Sequence, residues 1–236
     1  MNAARAAPMT PITPLPAATD SHAFILVGGT FDPPHRAHVE LAVHARGIAG
    51  LGGALLVFVP AARSPLKTGN AAGASAAHRA AMVRLAVCDV PGAVVWTDEI
   101  DRAAGDDPSY WVDTLRRFRS LVPAGSDVRF IIGTDQAAAF HRWREPREIL
   151  ALARPIVLPR APIASRQDLA EALRATGAWT EEEIAVWERA MIDAPLDPVS
   201  STALRREMRA SAGPAVPAPV DSRVARYIRE HDLYRS

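Results

Sequence analysis

Short apolar runs alternating with longer helical patterns constrain this chain more than any other feature. Residues 23–29 and 54–59 are apolar at nearly every position, as strands covered on both faces of a sheet must be. Residues 93–97, 128–132 and 156–158 repeat the pattern. Between them, residues 36–49, 76–89, 109–120 and 134–151 space apolar side chains three and four apart, which marks one face of a helix. Strands separated by helices pair in parallel, because each helix carries the chain back along the sheet. The expected fold class is therefore α/β, a doubly wound parallel sheet with helices on both faces, in one domain spanning residues 23–236. Ligands of such sheets bind beyond the carboxyl ends of the strands, where the strand order reverses.

Residues 168–175 and 181–190 read as two amphipathic helices joined through Gly177, and residues 223–230 as a closing helix. Residues 1–22 are rich in Ala and Pro and lack a charged start followed by an apolar core. They are expected to form a flexible leader rather than a signal peptide, and loss of residues 1–20 is expected to leave turnover unchanged. A single cysteine, Cys88, excludes an internal disulfide and suits a reducing compartment. No apolar run approaches the roughly 20 residues that span a bilayer, and a net charge of +1 supplies no strong field for nucleic acid or an anionic membrane. A cytoplasmic location follows as the expectation. The oligomeric state is left open at this point.

The sharpest local signal is Gly28-Gly29-Thr30-Phe31-Asp32-Pro33-Pro34-His35-Arg36-Ala37-His38, placed where a strand ends and a helix begins. Glycines there let the backbone approach an anion, and the helix start offers free N–H groups and partial positive charge. His35 and His38, three residues apart, share one face of the first turn and can donate to phosphoryl oxygens. The plainer reading is a pair of polar residues at a helix start, but the preceding strand and glycines favour phosphate chemistry. A metal site built from His35, His38 and His44 lacks a completing cysteine or carboxylate.

This segment resembles the signature of the nucleotidyltransferase superfamily, Thr/Ser-Phe-Asp-Pro followed by His-x-Gly-His, with Ala37 where glycine is usual. A second stretch, Val199-Ser200-Ser201-Thr202-Ala203-Leu204-Arg205, is similar to the superfamily pattern Ile-Ser-Ser-Thr-x-x-Arg. Alone it would be an ordinary helix cap. The two together imply a Rossmann-like fold that binds ATP through Gly28, Gly29, Thr30, Phe31, Ser201 and Thr202. They also imply that Arg205 forks onto phosphate.

Further segments narrow the resemblance to the bacterial nicotinate-nucleotide adenylyltransferases. These are His78-Arg79, Pro108-Ser109-Tyr110, Ile131-Ile132-Gly133-Thr134-Asp135, Trp143, and the ending through Tyr227-Ile228 and Leu233-Tyr234. Coverage runs from about residue 23 to the end and is weakest over residues 161–190. The resemblance implies that nicotinate mononucleotide stacks its ring on Trp143 and sets its carboxylate against backbone N–H groups of Ser109, Tyr110 and Trp111. It implies that Asp135 meets the ribose of the nucleotide, although a helix cap is as natural there. Ser64-Pro65-Leu66-Lys67 stands where the family carries Pro-Pro-His-Lys. That leaves Lys67, the only lysine among 27 basic residues, as either a phosphate ligand or a solubilising side chain.

The implied reaction is attack of the acceptor phosphate on the α-phosphorus of ATP. His35, His38, Arg205 and Lys67 would stabilise charge, and Mg²⁺ would enter with ATP. No dedicated protein metal cage is expected. Pantetheine-phosphate adenylyltransferase and a non-catalytic nucleotide-binding module are the alternatives.

Overall fold

A computed structural model of the chain describes residues 11–16, 20–63, 73–103, 108–195, 199–210 and 216–235. The strands are β1 (Ala23–Gly29), β2 (Leu55–Pro60), β3 (Ala93–Val95), β4 (Asp127–Gly133) and β5 (Arg154–Leu158). They form one parallel sheet in the order β3-β2-β1-β4-β5. The order reverses between β1 and β4, so the carboxyl ends of these two strands open the switch-point crevice.

Both faces of the sheet are covered, which is why β1 is apolar at successive positions rather than alternate ones. Phe24 and Leu26 enter a core with Trp96, Phe118 and Phe130 on one side. Ile25 and Val27 enter a second core with Phe31, Leu56 and Phe58 on the other. The crossover helices are α1 (Arg36–Ile48), α2 (Ala76–Val87), α4 (Trp111–Arg119) and α6 (Pro146–Leu152). α9 (Ser201–Ala210) and α10 (Ser222–Glu230) dock on α2 through a third cluster. Met82, Leu204, Met208, Val224, Ile228 and Tyr234 build it.

The helical segments expected over 134–151 are α5 (Thr134–Ala138), a 3₁₀ turn over Phe140–Arg142, and α6. Pro146, at the first turn of α6, cannot donate into a preceding turn and bars its predecessor from the ordinary helical region. Accordingly Glu145 adopts a left-handed φ of 52°, and Trp143 is extended. The break points Trp143 out of the helical run. α7 (Arg166–Thr176) and α8 (Glu181–Ala190) supply the stretch where the resemblance was weakest. Their Leu169, Leu173, Ile184 and Trp187 are buried in the same core as Phe140, so this stretch belongs to the one domain.

A short helix, α3 (Asp98–Asp101), escaped the sequence reading because three of its four residues are acidic and show no apolar spacing. Asp98 is fully buried there, with the Arg117 guanidinium donating to both of its oxygens at 2.6 and 2.7 Å.

The expectation of a flexible leader does not hold over residues 11–16. The Thr13 N–H donates to Asp98 at 2.9 Å, and the Thr13 carbonyl accepts from the Trp96 indole at 2.7 Å. Arg117 donates to the Pro11 carbonyl at 2.9 Å, and Ile12 and Leu15 pack on the main core. Composition showed the prolines but not their long-range partners. Deleting residues 1–16 strands the buried Trp96 N–H, a loss of about 1–3 kcal/mol. For a domain of this size the melting temperature should fall by roughly 2–4 °C per kcal/mol. An unchanged melting temperature would show that these contacts contribute nothing.

Candidate active site

A cleft of about 650 Å³ opens at the switch point. Its floor is the ends of β1 and β4, Val27–Thr30 and Phe130–Gly133. One wall carries His35, Ala37 and His38, and the other Ser109, Tyr110, Trp111 and Trp143. Two groups of candidate residues well separated in the chain, His35–His38 and Ser109–Trp143, therefore face one space.

The glycines have a more specific reason than anion approach alone. A Cβ at position 28 would stand 2.8 Å from the Trp111 ring, and one at position 29 would stand 3.0 Å from Phe31. Only a bare backbone lets these rings lie on the strand end. Phe31 reaches its place through a left-handed φ of 51° and is buried in the second core. Its ring supports His38 edge-on at 5.1 Å and does not line the cleft.

His35 precedes α1 and His38 lies in its first turn, with ring centroids 3.8 Å apart. The His35 backbone N–H donates to Nδ1 of His38 at 3.2 Å. In the neutral imidazole that bond assigns the ring proton to Nε2, so Nε2–H is the donor that remains. His35 is buried and His38 half-buried, which fits a preorganised pair in partly excluded water. The helix-cap reading and the phosphate reading thus use different nitrogens of the same ring. His44, the third residue of the rival metal site, turns its Nε2 to the Asp193 carbonyl at 3.0 Å. Among the described residues no three His, Cys, Asp or Glu side chains gather as a metal group.

The loop between β1 and α1 is held by residues to which the sequence assigned no role. Buried Arg79 donates to the carbonyls of Thr30 and Ala61 at 2.7 Å and of Ala62 at 2.9 Å. Burial lowers its pKa from the ordinary guanidinium range, while the charge of Asp32 opposes that shift. Asp32 accepts from the Tyr234 hydroxyl at 2.7 Å and from the Ala74 N–H at 2.9 Å. Burial and the Asp32 charge push the Tyr234 hydroxyl far above its usual pKa, so it stays a donor. Asp32 and Tyr234 stood inside the motifs read from the sequence, but their pairing across about 200 residues had no sequence signal.

The second signature packs on the first rather than into the cleft. Arg205 donates to the Asp32 carbonyl at 2.6 Å and lies 3.7 Å from its carboxylate, and it reaches the Thr202 hydroxyl at 3.4 Å. The Ser201 hydroxyl donates to the Pro33 carbonyl at 2.9 Å. Of this stretch, Val199 lines the cleft while Ser201, Thr202 and Arg205 do not. Asp135 also stands beside the cleft, with Arg160 at 3.8 Å, whereas Gly133, Gln136 and Arg160 line it. Lys67 lies outside the described residues.

On the opposite wall Trp143 is half-buried, its ring 4.8 Å from Phe140. Arg144 covers the Tyr110 ring at 4.8 Å. Glu99, which the sequence reading passed over, lines the same wall although it is only 3% exposed.

Comparison with known proteins fits this geometry. The cytidylyltransferase-like family matches residues 26–207. The chain is 35% identical to a probable nicotinate-nucleotide adenylyltransferase of Bordetella pertussis over 216 residues, which cover 89% of this chain and 96% of that protein. It is 36% identical to a protein of the same description from Roseiflexus castenholzii, with 89% and 96% covered. Its fold is similar to that of the Plasmodium falciparum nicotinic acid mononucleotide adenylyltransferase complexed with NaAD. The TM-score there is 0.63 at 15% identity, with 90% of this chain and 97% of that one covered.

Proposed function

The chain belongs to the nicotinate-nucleotide adenylyltransferases, within the cytidylyltransferase-like family, and on that footing we propose how it joins ATP to nicotinate mononucleotide. The products are nicotinate adenine dinucleotide and pyrophosphate, a step of NAD biosynthesis. The observation that carries the reading is one cleft with phosphate donors on one wall and aromatic rings on the other.

The acceptor ring stacks on Trp143, and its carboxylate takes N–H groups of the Ser109–Trp111 segment. Its phosphate then faces the α-phosphorus of ATP, with the adenosine side toward Gly133 and Asp135. A phosphate oxygen attacks the α-phosphorus in line as the bond to pyrophosphate breaks, with no covalent intermediate on the protein. Nucleotidyl transfer of this kind needs orientation and charge neutralisation more than a protein nucleophile. His38 Nε2–H and His35 donate to the oxygens whose charge grows, beside the backbone of Gly28, Gly29 and Thr30. Arg205, Ser201 and Thr202 act mainly as a brace: they fix the β1–α1 loop while the start of α9 adds N–H groups toward the triphosphate. Lys67 is retained as an additional phosphate ligand.

Imidazole and amide donors suit anionic oxygens rather than a hard cation, so we assign Mg²⁺ to the ATP phosphates and water. There it would neutralise triphosphate charge. No helix among the described residues is long and apolar enough to cross a membrane, and we propose a cytoplasmic enzyme with small-molecule partners only.

Pyrophosphate release with ATP and Mg²⁺ against nicotinate mononucleotide, nicotinamide mononucleotide and phosphopantetheine tests the assignment. The nicotinate acceptor should give the highest kcat/KM, because N–H donors favour a carboxylate over an amide. Equal efficiency on acid and amide would contradict the acceptor assignment. Turnover of phosphopantetheine alone would favour the pantetheine-phosphate reading.

A further inference from the structure

We propose that Glu99 is a positioning residue that sets the acceptor wall of the cleft by holding the start of α4 in place. The inference deepens the functional reading above and rests on its assignment of the Ser109–Trp111 segment to the acceptor. Glu99 and Thr114 are both buried, at 3% and 0% exposure, and the Thr114 hydroxyl donates to Glu99 Oε1 at 2.6 Å. Arg102 donates to the same hydroxyl at 2.8 Å, so the Thr114 proton is directed at the carboxylate. Thr114 stands one turn after Tyr110, and its N–H donates to the Tyr110 carbonyl at 3.2 Å. Ser109, at the head of the same segment, stands near enough to the Glu99 carboxylate to lower its pKa. Through Thr114, Glu99 thus holds the first turn of the helix that carries the segment whose N–H groups would meet the acceptor.

The clamp is rigid from behind. Its neighbour in α3, Asp98, is locked by Arg117 at 2.6 and 2.7 Å and by the Thr13 N–H at 2.9 Å. A carboxyl group taken out of water costs stability unless its bonds are made, and an apolar core needs none here. Burial pushes Glu99 up to about 7, against the lowering effect of Thr114, Arg102 and Ser109, while Asp98 adds to the rise. The nucleotide wall, His35, His38 and Gly133, makes none of these bonds, so the effect of losing Glu99 should be confined to the acceptor.

The test measures kcat and both KM values for the full chain with ATP and nicotinate mononucleotide. Glu99→Ala should raise the acceptor KM about tenfold or more, as loss of a hydrogen bond to a charged group does. The KM for ATP should stay within about twofold by the same reasoning, since no bond to the ATP wall is cut. Thr114→Val removes the same bond with little change of shape and should repeat the effect. The double variant should be no worse than about the larger single, because both cut one interaction. Glu99→Gln keeps an acceptor oxygen for Thr114 and should restore the acceptor KM. If Glu99→Ala does not fold, Thr114→Val and Glu99→Gln carry the test. Three results overturn the proposal: an unshifted acceptor KM in both truncating variants, equal shifts for ATP and acceptor, or Glu99→Gln as impaired as Glu99→Ala. Absence of wild-type turnover on this acceptor sinks the functional reading and this inference with it, whereas wild-type turnover with unshifted variants sinks this inference alone.

Discussion

Replacing His38 with alanine should lower turnover about 100- to 1,000-fold, the usual result of losing one preorganised donor to a developing charge. The acceptor KM should barely move, because the bond matters more in the transition state than in the bound ground state. His35→Ala should fall in a similar range. The rings stand 3.8 Å apart and would serve the same phosphates, so the double variant should lose less than the product of the two. Single-turnover rates and melting temperatures read together decide the matter. A helix-capping role predicts a modest melting shift and nearly normal rates. A folded His38→Ala protein with wild-type rates would remove the chemical role from this ring and make its Nδ1 bond to the His35 N–H a structural one.

The second large effect is expected at Asp32, in the loop that follows β1. Asp32→Ala removes the acceptor of the buried Tyr234 hydroxyl and of the Ala74 N–H, and it takes a counter-charge from both Arg205 and Arg79. Breaking a mostly buried pair by deleting one partner costs roughly 3 kcal/mol, which for a domain of this size lowers the melting temperature by roughly 6–12 °C. Tyr234→Phe should cost about 1 kcal/mol, since it deletes one hydrogen bond and leaves the ring in its cluster. Turnover of Asp32→Ala should also fall, because the loop it braces carries His35. Thermal melts of the two variants beside wild type check the ranking. Equal melting temperatures would mean that the C-terminal segment docks through Met82, Leu204 and Ile228 alone.

The strands, most helices and the position of the cleft were legible in the sequence because each rests on local information. Apolar runs mark strands buried on two faces, three-and-four spacing marks helices, and parallel pairing leaves the ligand at the switch between β1 and β4. The strand–glycine–histidine motif and the Ser-Ser-Thr segment were legible for the same reason, since the chemistry of each lies within about ten residues. The resemblance they carry reached the family that the comparisons show.

What the sequence could not display are bonds between residues distant in the chain, which exist only once the sheet has formed. Trp111 lying on Gly28, Tyr234 on Asp32 and Thr13 beneath Asp98 are of this kind. Glu99 is the clearest case. In an acidic stretch it reads as a solvated surface residue, because its neighbours in sequence offer no reason for burial. Only the tertiary fold supplies Thr114, Arg102 and Ser109, the partners that let a carboxyl group stay inside the wall of the cleft.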